Sequence, residues 1–357
     1  MTANKITVST IERQEMRCAI FFPSEEVANL PVAGIPAAAR VLRAIKLQAF
    51  PQEIAIIVPG GWQPTNSCKN AWRRLAEGTP VWAADAGGLD TSTESIADGV
   101  KLLEGRSWDA SVSLELRSKE GVDARDRLLS VSRTIIASTA KPTDGVVSRY
   151  FNRKISQAIS HLLLRAFPSI RPVQATFAVA VCAIIMLWFL IDGGVQGLSV
   201  GAILFQAASV LDGVDGEIAR AKFLTSKSGA TMDSITDAIA NLGFIFGLSW
   251  NFYIRGDFLS AGAGAVGLCL LGVGLLILGR LAFKREGRVH FDALKSQFSG
   301  SPSAIRNALS KVFMRDFYAL VLTVAVLLGF ASQALFVFVA AVVSWLAAVL
   351  ILRARIS

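Results

Sequence analysis

The stretch "LDGVDGEIARAKFLTSKSGATMDSITDAI" (residues 211–239) decides how the second half of this chain folds. It carries four aspartates between long apolar segments: Asp212, Asp215, Asp233 and Asp237. Each aspartate at the centre of a bilayer costs about 2.5 to 3.5 kcal/mol, so four unpaired ones would cost about as much free energy as a domain gains by folding. The carboxylates must therefore lie near water, be neutralised by cations, or both.

Six apolar stretches, each near the length needed to cross a bilayer, follow Arg171. They lie near 174–191, 197–214, 230–254, 258–283, 316–331 and 333–352. Lysine and arginine concentrate in the links after the second and fourth stretches and in the tail, which is typical of cytoplasmic segments. We therefore predict an all-α integral membrane domain of six transmembrane helices over residues 171–357, in the inner membrane, with both termini cytoplasmic.

Residues 1–140 mix charges with short apolar runs, none long enough to cross a membrane. Three short apolar runs are typical of buried strands: "MRCAIFFP" (16–23), "EIAIIVPG" (53–60) and "TPVWAAD" (79–85). The segments between these runs have the spacing typical of helices. This alternation predicts a soluble α/β domain with a mostly parallel sheet. Because no basic segment precedes an apolar core at the N-terminus, we expect this domain to stay in the cytosol.

Residues 141–170 are predicted to form a linker and an amphipathic helix. Apolar residues recur at helical spacing over 147–167, among four cations: Arg149, Arg153, Lys154 and Arg165. Such a helix lies in the inner membrane interface. The alternative is a last helix packed on the soluble domain.

Composition excludes several classes of protein. The chain is 53% hydrophobic with a mean hydropathy of +0.50 and a net charge of +9, which we attribute to the basic inner face and its anionic lipids rather than to nucleic acid. Its four cysteines are scattered, and its two histidines, His161 and His290, stand alone. A disulfide framework, a zinc site and histidine-based catalysis are therefore not expected.

The spacing of the aspartates predicts which of them meet. Asp212 and Asp215 are three residues apart, and Asp233 and Asp237 are four apart, so each pair shares a helix face. The short link 221–229 makes the two helices antiparallel neighbours, which brings the carboxylates together at the cytoplasmic end. Oxygen ligands of this kind suit two divalent cations, Mg²⁺ or Mn²⁺. The alternative is a set of helix-end carboxylates hydrogen-bonded to neighbours.

The same stretch resembles a family motif. D-x2-D-G-x2-A-R-x8-G-x3-D-x3-D, the pattern of the CDP-alcohol phosphotransferases, matches residues 212–237 position for position, and the resemblance extends over about 145–357. It implies a homodimeric membrane enzyme of phospholipid biosynthesis that transfers the phospho-alcohol part of a CDP-alcohol, such as CDP-diacylglycerol, to a hydroxyl acceptor and releases CMP. An ion or metal transporter, the alternative from another class, would not need the Gly, Ala and Arg positions.

The resemblance also implies roles for individual residues. The four aspartates would hold two metal ions, and Asp237 would also act as the base on the acceptor hydroxyl. The CDP site would consist of Asp215, Gly216, Ala219, Arg220, Gly229 and Thr176. Thr176 belongs to "PVQAT" (172–176), where many members have P-N-x-x-T, so Val173 stands in place of the asparagine.

A polyol or polyol phosphate, inositol phosphate included, is the predicted acceptor. The fourth apolar stretch ends in four basic residues that could form an anion pocket: Arg280, Lys284, Arg285 and Arg288. The alternative is that these basic residues only anchor the cytoplasmic end of the fourth helix at the membrane surface.

The first domain resembles an inositol-phosphate cytidylyltransferase. "DGVVSRYFNRKIS" (144–156) is similar to the linker of bifunctional proteins in which such a domain precedes a di-inositol-phosphate phosphate synthase. However, "FFPSEEVANLPVAG" (21–34) has no Gly-x-Gly and no basic residue, and Glu25 and Glu26 stand where phosphate should bind. We therefore expect an inactive, degenerate nucleotidyltransferase-like domain over 1–140, with an active cytidylyltransferase as the alternative.

Overall fold

The computed structural model describes residues 17–48, 51–84, 95–105, 121–142, 144–286 and 314–356. The chain divides into two compact units, Met1–Thr134 and Ile135–Ser357. One predicted acceptor residue, Arg288, lies outside the described residues.

The first unit is an α/β layer structure. Its strands are β1 (Arg17–Phe21), β2 (Pro31–Val32), β3 (Ile35–Pro36), β4 (Glu53–Ile57), β5 (Val81–Ala84) and β6 (Ser95–Asp98). Its helices are α1 (Glu25–Asn29), α2 (Ala37–Lys46), α3 (Asn66–Leu75), α4 (Gly99–Leu103) and α5 (Gly121–Ala137). Four strands form a parallel sheet in the order β5-β4-β1-β6, and β2 and β3 form a small hairpin. The predicted parallel sheet is confirmed.

A buried arginine holds the turn of this hairpin. Arg40, on α2, is only 4% exposed, and its guanidinium donates to the carbonyl oxygens of Val32 (2.8 Å) and Ala33 (3.2 Å). Ala33 has a left-handed backbone with φ 46°, and its N–H donates to Ser132 Oγ at 3.0 Å. Burial, assisted by the charge of Arg74, lowers the pKa of Arg40 to about 9.

We expect Arg40→Met to lower the free energy of unfolding by about 1 to 3 kcal/mol, because two buried carbonyl oxygens lose their donor. Thermal unfolding of the purified protein measures the change. The control is Arg43→Met, because Arg43 is 42% exposed and pairs with the exposed Glu77 at 3.2 Å. Exposed pairs contribute about 1 kcal/mol or less, so equal losses in the two variants would contradict the role of Arg40.

The second unit consists of helices. A π-helical turn, Ser148–Asn152, leads into α6 (Arg153–Ala166). Among the described residues six helices follow: α7 (Pro172–Asp192), α8 (Gly194–Ala221), α9 (Lys227–Ile254), α10 (Phe258–Glu286), α11 (Arg315–Leu327) and α12 (Ala331–Ile356). Of the described helices, three are long and apolar enough to cross a membrane by length and composition: α7, α8 and the segment Phe258–Lys284 of α10. These helices indicate an integral membrane protein, and the count of six spans stays a prediction.

Local capping explains where α8 ends and where α9 begins. At the end of α8, Phe223 adopts a left-handed backbone with φ 53°, and the N–H of Leu224 donates back to the carbonyl oxygen of Ala219 at 2.7 Å. At the start of α9, Ser226 Oγ accepts from the N–H of Gly229 at 3.0 Å. The two helices are therefore joined by a short link, as predicted.

Packing then fixes the two motif helices side by side. α7 packs against both α8 and α9, and α11 packs against α8. The rings of Phe205 on α8 and Phe244 on α9 stack with their centroids 4.0 Å apart. At the far end of the bundle the fully buried Asn251 donates its Nδ2 to the carbonyl oxygens of Leu190 (3.1 Å) and Gly194 (3.4 Å). These contacts leave the aspartates at the opposite end.

Helix α6 has the surface expected of an interfacial helix. It packs against α8 on one side. Its exposed residues are both apolar and cationic, and include Ile155, Leu162, Lys154 and Arg165. This distribution is consistent with the predicted place at the membrane surface.

Candidate functional site

Three carboxylates converge where α8 ends and α9 begins. One oxygen each from Asp212, Asp233 and Asp237 lies within 4.8 Å of the others, and all three side chains are partly buried. Like charges this close repel strongly unless a cation lies between them. Hard divalent cations prefer such oxygen ligands, so the residues present fit a metal ion.

The fourth aspartate has a different neighbour. Asp215 is 6% exposed and accepts a hydrogen bond from Thr176 Oγ1 of α7 at 2.5 Å. The predicted nucleotide-site residue Thr176 therefore contacts a predicted metal ligand, whereas the neighbouring Val173 is exposed. The start of α7 thus contributes to the site.

Of the remaining motif residues, Gly216 lies against the guanidinium of Arg220. A Cβ on Gly216 would lie 3.0 Å from Arg220 Nη1, so the glycine gives the guanidinium room. Arg220 Nε donates to the carbonyl oxygen of Thr139 at 2.7 Å. Arg220 Nη2 is buried and has no hydrogen-bond partner within the described part of the chain. It can therefore donate to an anion.

Arg315 is a site residue that the sequence analysis did not single out. It is the first residue of α11, and its Nη1 donates to Asp237 and lies 3.4 Å from Asp212 Oδ1. Its side chain is 13% exposed, and among the described residues its Nε and Nη2 have no partner. The only sequence signal was its position as the last basic residue before the fifth apolar stretch.

Three of the predicted acceptor residues, Arg280, Lys284 and Arg285, belong to the last turns of α10. Arg280 and Lys284 are exposed on α10, and Arg285 is in the same helix, with its side chain outside the described atoms. Among the described ion pairs, Asp212 and Asp237 pair with Arg315. The acceptor role of the α10 cations stays a prediction.

A second charged group lies on the other side of α8. Glu217 is fully buried and accepts from Ser156 Oγ (2.6 Å), Ser160 Oγ (2.6 Å) and Arg153 Nη1 (2.9 Å). A Cβ on Gly213 would lie 2.8 Å from Arg153 Nη1, so this glycine lets the guanidinium approach α8. Glu217 occupies a position that the motif leaves open.

Arg153 extends this network to the linker. Its Nε donates to Asp144 Oδ2 at 2.8 Å and its Nη2 donates to Asp144 Oδ1 at 2.9 Å. Burial alone would raise the pKa of Asp144, but the hydrogen bonds and charge of Arg153 outweigh it and lower that pKa below its usual value. Asp144 is therefore ionised at neutral pH and forms a charge-assisted bidentate pair.

Comparison with known proteins agrees with this arrangement. Residues 170–353, which contain all four aspartates and Thr176, match the family described as "CDP-alcohol phosphatidyltransferase". The chain belongs to the CDP-alcohol phosphatidyltransferase family. Like the motif, this match begins after the α/β unit.

Three relatives of this CDP-alcohol phosphatidyltransferase carry the name "Bifunctional IPC transferase and DIPP synthase". The protein of Thermococcus kodakarensis is 34% identical over 125 residues, which are 35% of this chain and 27% of the relative. That of Aquifex aeolicus is 31% identical over 139 residues, 39% of this chain and 31% of the relative. That of Rubrobacter xylanophilus is 30% identical over 200 residues, 56% of this chain and 37% of the relative. The chain thus matches between about a quarter and two fifths of each relative's length.

Proposed function

We propose that this chain transfers a substituted phosphate group from a CDP-alcohol, such as CDP-diacylglycerol, to a hydroxyl acceptor and releases CMP. The observation that carries the proposal is the approach of Asp212, Asp233 and Asp237 beside the Thr176–Asp215 pair. Two divalent cations, Mg²⁺ or Mn²⁺, held by these four aspartates would neutralise the diphosphate and the departing CMP. The protein acts as a homodimer in the inner membrane, with both termini and the active site cytoplasmic.

The residues of the site have separate tasks in this reaction. Asp237 accepts the proton of the acceptor hydroxyl, because a carboxylate within reach of a nucleophile can act as general base. Arg220 and Arg315 have buried N–H groups that can donate to phosphate oxygens. Gly216, Ala219 and Gly229 are the proposed lining of the nucleotide site, where Gly216 leaves room for the guanidinium of Arg220. Direct displacement on phosphorus needs no covalent intermediate with the enzyme.

A polyol or polyol phosphate is the proposed acceptor. The relatives are named for IPC and DIPP, so inositol phosphate is the first compound to test. The proposed anion-binding residues are Arg280, Lys284, Arg285 and Arg288. Arg315, which lies beside the carboxylate of Asp212, contributes a further positive charge. Together these cations favour a phosphorylated acceptor over a neutral one.

The reaction is tested with purified protein, Mg²⁺ or Mn²⁺, a CDP-alcohol and a panel of polyols and polyol phosphates. We expect metal-dependent release of CMP with at least one acceptor, and none after chelation of the metal. No release with any acceptor would contradict the enzyme function. Transport of divalent cations by protein reconstituted in vesicles, without CMP release, would instead support a transporter.

Thr176→Val is expected to lower kcat/KM about 5-fold to 150-fold, because the buried Asp215 loses a donor worth about 1 to 3 kcal/mol. The CMP-release assay measures the change. The matched control is Thr323→Val, since Thr323 is also a buried threonine of the helical unit and donates to the carbonyl oxygen of Ala202 at 2.8 Å. If both variants lose activity equally, the contact with Asp215 has no special role.

We propose that residues 1–140, which include the first unit, form an inactive nucleotidyltransferase-like domain. After β1, Ser24 Oγ accepts from the N–H of Val27 and caps α1, whose first turn carries Glu25 and Glu26. The two carboxylates at the start of this helix repel the phosphates of a nucleoside triphosphate and so disfavour its binding. The test is CTP consumption with sugar or inositol phosphates. Measurable pyrophosphate release would contradict the proposal and support an active cytidylyltransferase.

A further inference from the structure

A short segment between α5 and the π-helical turn contacts Arg220, the predicted nucleotide-site arginine of α8. This connecting segment comprises residues 138–142 and 144–147. The carbonyl oxygen of the buried Thr139 accepts from Arg220 Nε at 2.7 Å. Gly216 lies against Nη1, and the buried Nη2 has no partner among the described residues. The segment thus fixes the guanidinium, while one of its nitrogens remains able to donate to a ligand.

Side chains of the π-helical turn and of α6 hold the connecting segment. Arg149 Nη2 donates to the carbonyl oxygen of Pro142 at 3.0 Å. Arg153 donates through Nε (2.8 Å) and Nη2 (2.9 Å) to the two carboxylate oxygens of Asp144. Asp144 Oδ2 also accepts from the N–H of Lys141 at 3.0 Å, and the N–H of Asp144 donates back to the carbonyl oxygen of Lys141 at 3.1 Å. The backbone that follows the acceptor carbonyl is therefore tied to α6.

Arg153 is itself fixed on α8, the helix that carries Arg220. Its Nη1 donates to Glu217 Oε1 at 2.9 Å and to the carbonyl oxygen of Gly213 at 3.3 Å. Glu217 is three residues before Arg220, so the two side chains lie on neighbouring turns of one helix face. The connecting segment and Arg153 therefore form a ring of contacts that starts and ends on α8.

We propose that the connecting segment positions Arg220 for the diphosphate of the CDP-alcohol, and that Asp144 and Arg153 hold this segment in place. A free arginine side chain has many rotamers, so fixing one of them before the ligand arrives lowers the entropic cost of binding. This inference rests on the proposed function, in which Arg220 contacts the nucleotide. Asp144 and Arg153 are positioning residues, and both precede residues 170–353, which match the family.

The test is a double-mutant cycle on the Kd for CDP, measured by calorimetry with Mg²⁺ and the purified chain in detergent. We expect Arg220→Gln to raise the Kd about tenfold, because a charge-assisted hydrogen bond to phosphate is lost. Asp144→Asn keeps the size of the side chain but weakens the pair with Arg153, so it should raise the Kd about threefold or more. In the Arg220→Gln background, Asp144→Asn should change the Kd by less than about 1.5-fold, since it acts through Arg220.

Two further variants separate positioning from a general effect on the fold. Arg153→Lys keeps the positive charge beside Glu217 but cannot bind both oxygens of Asp144, so it should raise the Kd as Asp144→Asn does. The matched control is Glu104→Gln in the first unit. Glu104 accepts both hydrogen bonds of another bidentate pair, with Arg127, each at 2.7 Å. Breaking this pair should not change the Kd for CDP.

Three results would overturn the inference. The first is an equal rise in Kd from Asp144→Asn in the wild-type and Arg220→Gln backgrounds, because the carboxylate would then not act through the guanidinium. The second is a wild-type Kd in both Asp144→Asn and Arg153→Lys, and the third is a wild-type Kd in Arg220→Gln. Each leaves the proposed function intact when the wild-type protein releases CMP. If the wild-type protein neither binds CDP nor releases CMP, both fail.

Discussion

Replacing Asp237 by asparagine is expected to abolish turnover while CDP still binds. An amide cannot accept the proton of the acceptor hydroxyl, and loss of a positioned general base costs about 10²-fold to 10⁴-fold in rate. Asparagine has nearly the same size, and the carboxylates of Asp212 and Asp233 remain, so the nucleotide keeps most of its contacts. The CMP-release assay gives kcat, and calorimetry with CDP and Mg²⁺ gives the Kd.

A matched carboxylate at the other end of the bundle provides the control. Asp257, in the turn between α9 and α10, accepts from the N–H of Ser260 at 3.1 Å, far along the chain from the motif. Asp257→Asn should keep kcat within about twofold. Substantial turnover by Asp237→Asn would remove the role of base, and a parallel loss of CDP binding would make Asp237 chiefly a metal ligand.

The largest loss of stability is expected from Glu217→Leu, at about 3 to 5 kcal/mol. The substitution leaves Arg153 without one of its carboxylate partners and Ser156 and Ser160 without their acceptor, in a fully buried place. Breaking a buried ion pair costs this much because the remaining charge stays desolvated. Unfolding of the detergent-solubilised protein measures the loss.

A double-mutant cycle separates the ion pair from general damage. Arg153→Leu and the double variant Glu217→Leu/Arg153→Leu complete the cycle, and we expect a coupling free energy of about 1.5 kcal/mol or more. Glu217→Gln, which keeps the shape and can still accept from the serines, should lose less stability than Glu217→Leu. Additive losses would show that Glu217 and Arg153 do not act together.

Sequence spacing was sufficient to predict the convergence of three of the four carboxylates, those of Asp212, Asp233 and Asp237. Asp233 and Asp237 are one helical turn apart, and the short link after Ala221 leaves little freedom in where Asp212 can lie. The apolar strands of the first unit could likewise be predicted from the sequence. β6, with the sequence "SIAD", was missed because it is short and half polar, and only its pairing with β1 makes it a strand.

The spacing of residues along the sequence does not predict contacts between residues that are far apart in the chain. Arg315 and Asp237 are 78 residues apart, and nothing local distinguishes Arg315 from cations that anchor a helix. Asp215 shares a helix face with Asp212, yet packing of α7 gives it Thr176 as its hydrogen-bond donor. Glu217 is at an open position of the motif, so its three donors appear only once α6 packs on α8.

Asn251 bears on the order in which the helices assemble during synthesis. Because α7 ends at Asp192, the carbonyl oxygen of Leu190 in its last turn has no partner further along that helix, and it accepts from Asn251 of α9. Unsatisfied carbonyl groups are costly in lipid. A nascent chain that has released only α7 and α8 from the ribosome lacks this donor. We therefore expect the pairing of α7 and α8 to be completed only once α9 packs against α7 and supplies this donor.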